Sequence, residues 1–181
     1  MGLDKRILTI PGWMDRPELK WILYTVEKLP DDGVVVELGS YCGRATAAMC
    51  QGILGRGGTV IAVDPFDDAD MARRGLKSKT KCMLDTFKQV MATLDFSPTI
   101  WQMTSLEAAA QTEDQSIDMI FIDAIHYDVG EDIDAWRSKM KPGSIMSGHD
   151  FPGPSFDVEG QVLKRFPNVS QGPMKIWYTN V

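Results

Sequence analysis

Short apolar runs rich in β-branched residues recur along the chain: "VVVEL" (34–38), "TVIAV" (59–63), "TIWQM" (99–103), "DMIFI" (118–122), "SIMSG" (144–148) and "KIWYT" (175–179). Between them apolar positions return with helical spacing, which predicts helices over about 17–29, 43–54, 79–94, 105–111, 129–140 and 156–166. Strands alternating with helices argue for βαβ units, and so for an α/β fold with a doubly wound, mostly parallel sheet flanked by helices. The C-terminal strand is expected to run antiparallel. Right-handed crossovers set the C-terminal ends of the parallel strands along one edge, where open α/β sheets bind ligands.

At 181 residues, with no internal repeat, the chain is expected to form one domain over 1–181, with residues 1–30 as an N-terminal lid or helix segment. No run approaches the roughly 18 apolar residues of a membrane span. The start "MGLDKRILTIPGW" lacks the apolar core of a signal peptide. A net charge of −6 opposes binding to nucleic acid. Three cysteines, without a CxxC pair, suggest neither a disulfide framework nor a zinc knuckle, so a reducing cytoplasm is expected.

The segment "VVVELGSYCGRAT" (34–46) reads as strand, glycine turn and helix start. Gly39 permits a sharp turn and close approach of a ligand, and Gly43 opens a helix whose free N–H groups face the same edge. The spacing is not the GxGxxG of a dinucleotide site, because Tyr41 and Arg44 stand where further glycines belong. Asp64 ends the next strand, where a carboxylate can accept both hydroxyls of a ribose. A plain turn and a plain strand cap would account for either residue alone. Together, on successive strands, they predict a nucleoside site.

On these residues the chain resembles the class I S-adenosylmethionine-dependent methyltransferases, which have a Rossmann-like fold. "ELGSYCGRATAAM" is similar to the cofactor loop of catechol O-methyltransferase and of small bacterial O-methyltransferases acting on sugars and antibiotics. The resemblance runs from about residue 8 onward and is strongest over 34–66 and 117–151. It implies cofactor contacts at Glu37, Gly39, Ser40 and Tyr41, ribose contacts at Asp64 and an adenine-side contact at Ser105. Phe66 is expected to stack on the adenine. Where the catechol type carries a small hydroxyl residue after the second glycine, this chain has Ala45, with Thr46 one place later.

Both histidines stand beside an Asp at a predicted strand end, in "IFIDAIHYD" (120–128) and "SGHDF" (147–151). Asp123 and Asp150 emerge from what should be neighbouring strands and can converge on one divalent cation, Mg²⁺ or Mn²⁺, with His149 adding a nitrogen. In the catechol type an Asp and an Asp-Asn pair hold Mg²⁺, and a Lys three residues after the first Asp is the base. The resemblance therefore implies Asp123, His149 and Asp150 as metal ligands, with His126 as the catalytic base beside Asp123. The expected reaction is methyl transfer to a hydroxyl oxygen of a small molecule bearing adjacent hydroxyls.

Three alternatives stay open: a metal-independent methyltransferase in which Asp123 touches only the cofactor, a nicotinamide-dependent oxidoreductase, and a nucleoside-binding module without chemistry. Homo-oligomer formation is left open too. Trp13 in "PGWM" fits either a lid aromatic or an anchored turn. The basic run "RRGLKSKTK" (73–81) reads as a solvated loop, and "FPGPSF" (151–156) as a stiff loop beside the metal candidates. Trp101 and Trp136 are expected in the core, and Cys42 has no nearby activator.

Overall fold

The structure is a computed structural model describing residues 2–67, 83–124, 129–153 and 157–181. His126, the basic run 73–81 and residues 154–156 of the proline loop lie outside the described residues. Seven strands form one sheet in the order β3-β2-β1-β4-β5-β7-β6. They are β1 (Val34–Leu38), β2 (Thr59–Val63), β3 (Thr99–Trp101), β4 (Ile117–Ile122), β5 (Met140–Gly148), β6 (Ser170–Gln171) and β7 (Trp177–Asn180). The pairs from β3 through β5 are parallel, while β7 runs antiparallel to both β5 and β6. The doubly wound reading and the antiparallel C-terminal strand are both borne out.

The described α-helices are α1 (Arg16–Val26), α2 (Arg44–Gly52), α3 (Met83–Thr93), α4 (Ser105–Gln111), α5 (Val129–Trp136) and α6 (Val158–Arg165). A 3-10 turn over Lys5–Thr9 precedes them, and another over Arg137–Lys139 ends the segment expected to be helical as far as 140. Two elements begin on capping boxes, in which a helix-end carboxylate takes up a free backbone N–H: Asp15 with Glu18 for α1, and Thr104 with Glu107 for α4. Among the described residues, no helix is long and apolar enough to cross a membrane.

The sheet buries both faces. Val35, Met119 and Phe121 pack with α1, α2 and α3 on one side, and Val36, Ile120 and Ile122 pack with α4, α5 and α6 on the other. Strand β4 is buried along its whole length, as expected of the centre of a parallel sheet. Trp136 is fully buried as expected, whereas Trp101 on outer strand β3 is only partly covered, because one fewer layer of neighbours lies beyond it.

Registers bring the strand ends level: Leu38 pairs with Val63 and Ile122, and Ile122 pairs with Gly148. The ladder then continues one residue further. Gly39 N donates to Val63 O (2.9 Å), Asp123 N to Leu38 O (2.8 Å), His149 N to Ile122 O (3.1 Å) and Asp64 N to Trp101 O (3.2 Å). The four residues that leave the sheet at this edge are thereby fixed relative to one another. Chain order reverses between β1 and β4, beside Gly39 and Asp123, the place where open α/β sheets bind ligands.

The opposite edge is secured by the buried Asp118, whose Oδ2 accepts from Val34 N (2.8 Å) and Lys141 Nζ (2.7 Å). Asp118→Ala leaves the strand-start N–H without its partner, a loss of about 1–3 kcal/mol. The expected outcome is a melting temperature lower by about 2–10 °C, read by calorimetry; an unchanged value would show that this carboxylate does not secure the sheet.

Candidate active site

The loop after β1 is built on positive backbone angles, with φ of 85° at Gly39, 47° at Tyr41 and 86° at Gly43. A Cβ on Gly39 would lie 2.4 Å from Asp123 O and 2.6 Å from Ala124 Cα, so the glycine is required where the loop crosses the end of β4. Asp64 holds the loop from the side. Its Oδ2 accepts from Ser40 N (2.8 Å) and Tyr41 N (2.9 Å), and its Oδ1 accepts from Phe66 N (2.6 Å). Burial raises the Asp64 carboxyl above its ordinary value against the lowering effect of these N–H groups. The expected ribose ligand thus already shapes the loop.

Glu37, the penultimate residue of β1, is buried and accepts a hydrogen bond from the Thr46 hydroxyl. Thr46 therefore serves Glu37 in this structure. Burial pushes the Glu37 carboxyl up to about 8, with Thr46 opposing and the charges of Asp123 and Asp64 adding to the rise. The buried Ser40 hydroxyl lies beside the Glu37 carboxyl and, like Thr46, opposes the rise. Ser105 begins α4, and its hydroxyl accepts from Trp136 Nε1 (2.9 Å). The Phe66 ring packs on Phe87 with centroids 5.4 Å apart, inside the core.

Asp123, His149 and Asp150 do come together: one ligand atom from each lies within 4.8 Å of the others. His149 Nδ1 is 3.7 Å from Asp123 Oδ1 and 3.5 Å from Asp150 Oδ1. Its other nitrogen, Nε2, is 2.9 Å from Glu18 Oε1. Burial pulls the imidazole down, but hydrogen bonds to Asp150 and Glu18 and the charges of Asp123 and Asp150 outweigh it and raise His149 to about 10. Burial raises Asp123 to about 7, His149 opposing and Asp150 and Glu18 adding. About a quarter of the Asp123 side chain stays exposed (24%).

Sequence reasoning missed Glu18 and Lys175. Glu18 is legible only as a capping residue in "DRPE"; nothing local shows that its second oxygen meets His149. Lys175 Nζ lies 3.4 Å from Asp150 Oδ1, and Lys175 N donates to Glu18 Oε1 at 3.3 Å. The Arg44 guanidinium was passed over as well. It donates to Gly12 O (3.0 Å) and Leu8 O (3.2 Å) and so ties the N-terminal segment to the loop. Trp13 stands on that segment, 58% exposed, against the Tyr41 ring at 4.9 Å. It stands on an anchored turn and packs against the glycine loop through Tyr41.

The raised Glu37 carboxyl has a consequence for stability. Between its ordinary value of 4.5 and its folded value of about 8, only the unfolded chain releases the proton. The Glu37 contribution is therefore intact below pH 4.5 and is lost as pH climbs toward 8, at ~1.4 kcal/mol per unit of pKa difference. Glu37→Gln, which mimics the protonated acid, is expected to match the wild type near pH 4.5 and to melt several degrees higher by pH 8 in the ligand-free state. Parallel melting profiles for the two proteins would show that Glu37 is ionised in the fold.

Comparison with other proteins places this arrangement. The fold matches a cofactor-bound protein from MTB at 12% identity and TM-score 0.72, covering 98% of this chain and 90% of that one. It also matches an O-methyltransferase from Bacillus cereus in complex with SAH at 16% identity and TM-score 0.66, covering 97% and 86%. A third match is the O-methyltransferase TomG from Streptomyces achromogenes, involved in tomaymycin synthesis, in complex with SAM, at 12% identity and TM-score 0.63, covering 97% and 85%. Residues 36–151, which contain the glycine loop, Asp64, Asp123, His149 and Asp150, match the methyltransferase-domain family. The chain belongs to that family.

Proposed function

We propose that the protein transfers a methyl group from S-adenosylmethionine to a hydroxyl oxygen of a small molecule with adjacent hydroxyls, assisted by a divalent cation at Asp123, His149 and Asp150. The observation that carries the reading is the contact between the glycine loop and the carboxylate–imidazole cluster: Gly39 lies directly against the Asp123–Ala124 backbone. A cofactor seated on the loop and an acceptor seated on the cluster would share one crevice.

The residues fit both groups. The buried Glu37 and Ser40, side by side at the end of β1, suit polar cofactor groups, and the Asp64 carboxylate suits a ribose. Structures of the same fold hold SAH and SAM. Two carboxylates and an imidazole nitrogen form a donor set for Mg²⁺ or, better, Mn²⁺.

S-adenosylmethionine supplies an electrophilic methyl, and the chief task of the chain is to align it with the acceptor oxygen. A bound divalent cation supplies Lewis acidity, which lowers the pKa of a chelated hydroxyl. The partly exposed Asp123 carboxylate would help hold that cation, and Trp13 and Tyr41 would border the acceptor. His126, three residues after Asp123, is assigned the proton-accepting role, since an imidazole titrates near working pH. Vicinal diols of sugars, macrolides, catechols and flavonoids all suit this logic.

The ion cluster also favours a second reading, a metal-independent methyltransferase. A protonated His149, held by Glu18 and Asp150, balances part of the negative charge without a metal.

Calorimetric titration is expected to give one-site binding of S-adenosylhomocysteine and none of NAD; the reverse would turn the assignment toward an oxidoreductase. In the loaded protein, free Mn²⁺ followed by its paramagnetic signal is expected to be taken up at one site that Asp150→Asn weakens. Retained S-adenosylhomocysteine binding without Mn²⁺ uptake would decide for the metal-independent reading. With a catechol or sugar diol acceptor, His126→Ala is expected to lower kcat by roughly 10²–10⁴-fold, and full activity there would remove His126 as the base.

A further inference from the structure

Glu18 and Glu107 occupy the same position in their two capping boxes but behave differently. Glu107 is exposed, and its hydrogen bonds stay at its own helix start, from the Thr104 N–H (2.9 Å) and the Thr104 hydroxyl (2.7 Å). Glu18 is 2% exposed. Its Oε2 completes the cap by accepting from Asp15 N at 2.7 Å, which is all that the helix needs. Its Oε1 is committed elsewhere, 2.9 Å from His149 Nε2 and 3.3 Å from Lys175 N. Burying a carboxylate costs several kcal/mol unless hydrogen bonds compensate. Here the compensating donors come from the strand edge that carries the candidate ligands.

A carboxylate on the far nitrogen of a histidine fixes its tautomer and its ring plane, and makes the near nitrogen a better donor. We infer that Glu18 is a positioning residue that keeps the His149 proton on Nε2 and turns Nδ1, between Asp123 Oδ1 and Asp150 Oδ1, toward a transition-series divalent cation that displaces the Nδ1 proton. The inference rests on the metal reading proposed above and adds which atom binds, what orients it and which ion is preferred. An imidazole nitrogen among two carboxylates favours Mn²⁺ over Mg²⁺, because Mg²⁺ prefers an all-oxygen octahedron. The N-terminal helix α1 is therefore part of the metal centre although it supplies no ligand.

The test uses the whole protein and Mn²⁺ as the probe, with paramagnetic resonance for affinity and spin-echo modulation for directly bound ¹⁴N. The wild type is expected to bind one Mn²⁺ with a ¹⁴N coupling and to resist displacement by equimolar Mg²⁺. Glu18→Gln, which keeps the shape of the side chain, is expected to raise the Kd by about 10–100-fold and to alter the ¹⁴N coupling. Asp15→Ala, which perturbs only the helix cap, should do neither, and circular dichroism checks that both variants fold. Unchanged affinity and coupling in Glu18→Gln would overturn the positioning role while leaving the metal site standing. Mn²⁺ binding without ¹⁴N coupling in the wild type would overturn coordination through Nδ1, and equal competition by Mg²⁺ would overturn the preference. Absence of any Mn²⁺ binding by the wild type would overturn the inference and the metal reading together.

Discussion

Four backbone hydrogen bonds just beyond the ends of the parallel strands carry the site. Each of Gly39, Asp64, Asp123 and His149 has left its strand, yet its N–H still donates to the last residue or so of the neighbouring strand. A loop residue placed this way inherits the precision of the sheet. The side chains that follow are then constrained by two further contacts: Asp64 gathers the N–H groups of the glycine loop, and the absent Cβ of Gly39 lets that loop lie on the end of β4. The glycine loop and the carboxylate–imidazole cluster are thus held in one register.

The same geometry concentrates negative charge. Glu37, Asp64, Asp123 and Asp150 all reach one edge, and Glu18 joins them from α1. Burial alone would drive most of these carboxyls toward the neutral form. The chain meets this in distinct ways: Thr46 and backbone N–H groups for Glu37 and Asp64, and a shared imidazole for Glu18, Asp123 and Asp150. Asp123 keeps a quarter of its side chain exposed, so part of this charge faces outward. Sites that bind charged groups are commonly found in this condition.

Much of this was legible in the sequence because it is local. The runs 34–38 and 59–63 read as strands and fold as strands with those bounds, and the helix over 105–111 does too. The grouping of Asp123, His149 and Asp150 followed from strand-end position and the known handedness of crossovers. What escaped was either too short or too distant. Strand β6 has only two residues and no periodicity to detect. Glu18 looks like any capping glutamate, because its partner His149 is 131 positions away. Asp64 was read outward, toward a ribose, whereas the structure first turns it inward to the loop, and Phe66 follows it into the core.

The bond between Lys175 N and Glu18 Oε1 joins residues 157 positions apart. Phe151 N also depends on Lys175, donating to its carbonyl at 2.9 Å. During synthesis the first four strands and their helices can collapse as soon as they emerge, since their pairings are mostly between consecutive units. Glu18 meanwhile has its cap but neither of its distant donors, and the turn carrying Asp150 has nothing to lean on. Once the segment around residue 175 has cleared the ribosome, Glu18 gains its last donor and Phe151 N its acceptor. Translation order thus leaves the last of the Glu18 hydrogen bonds until the sheet around them is already in place.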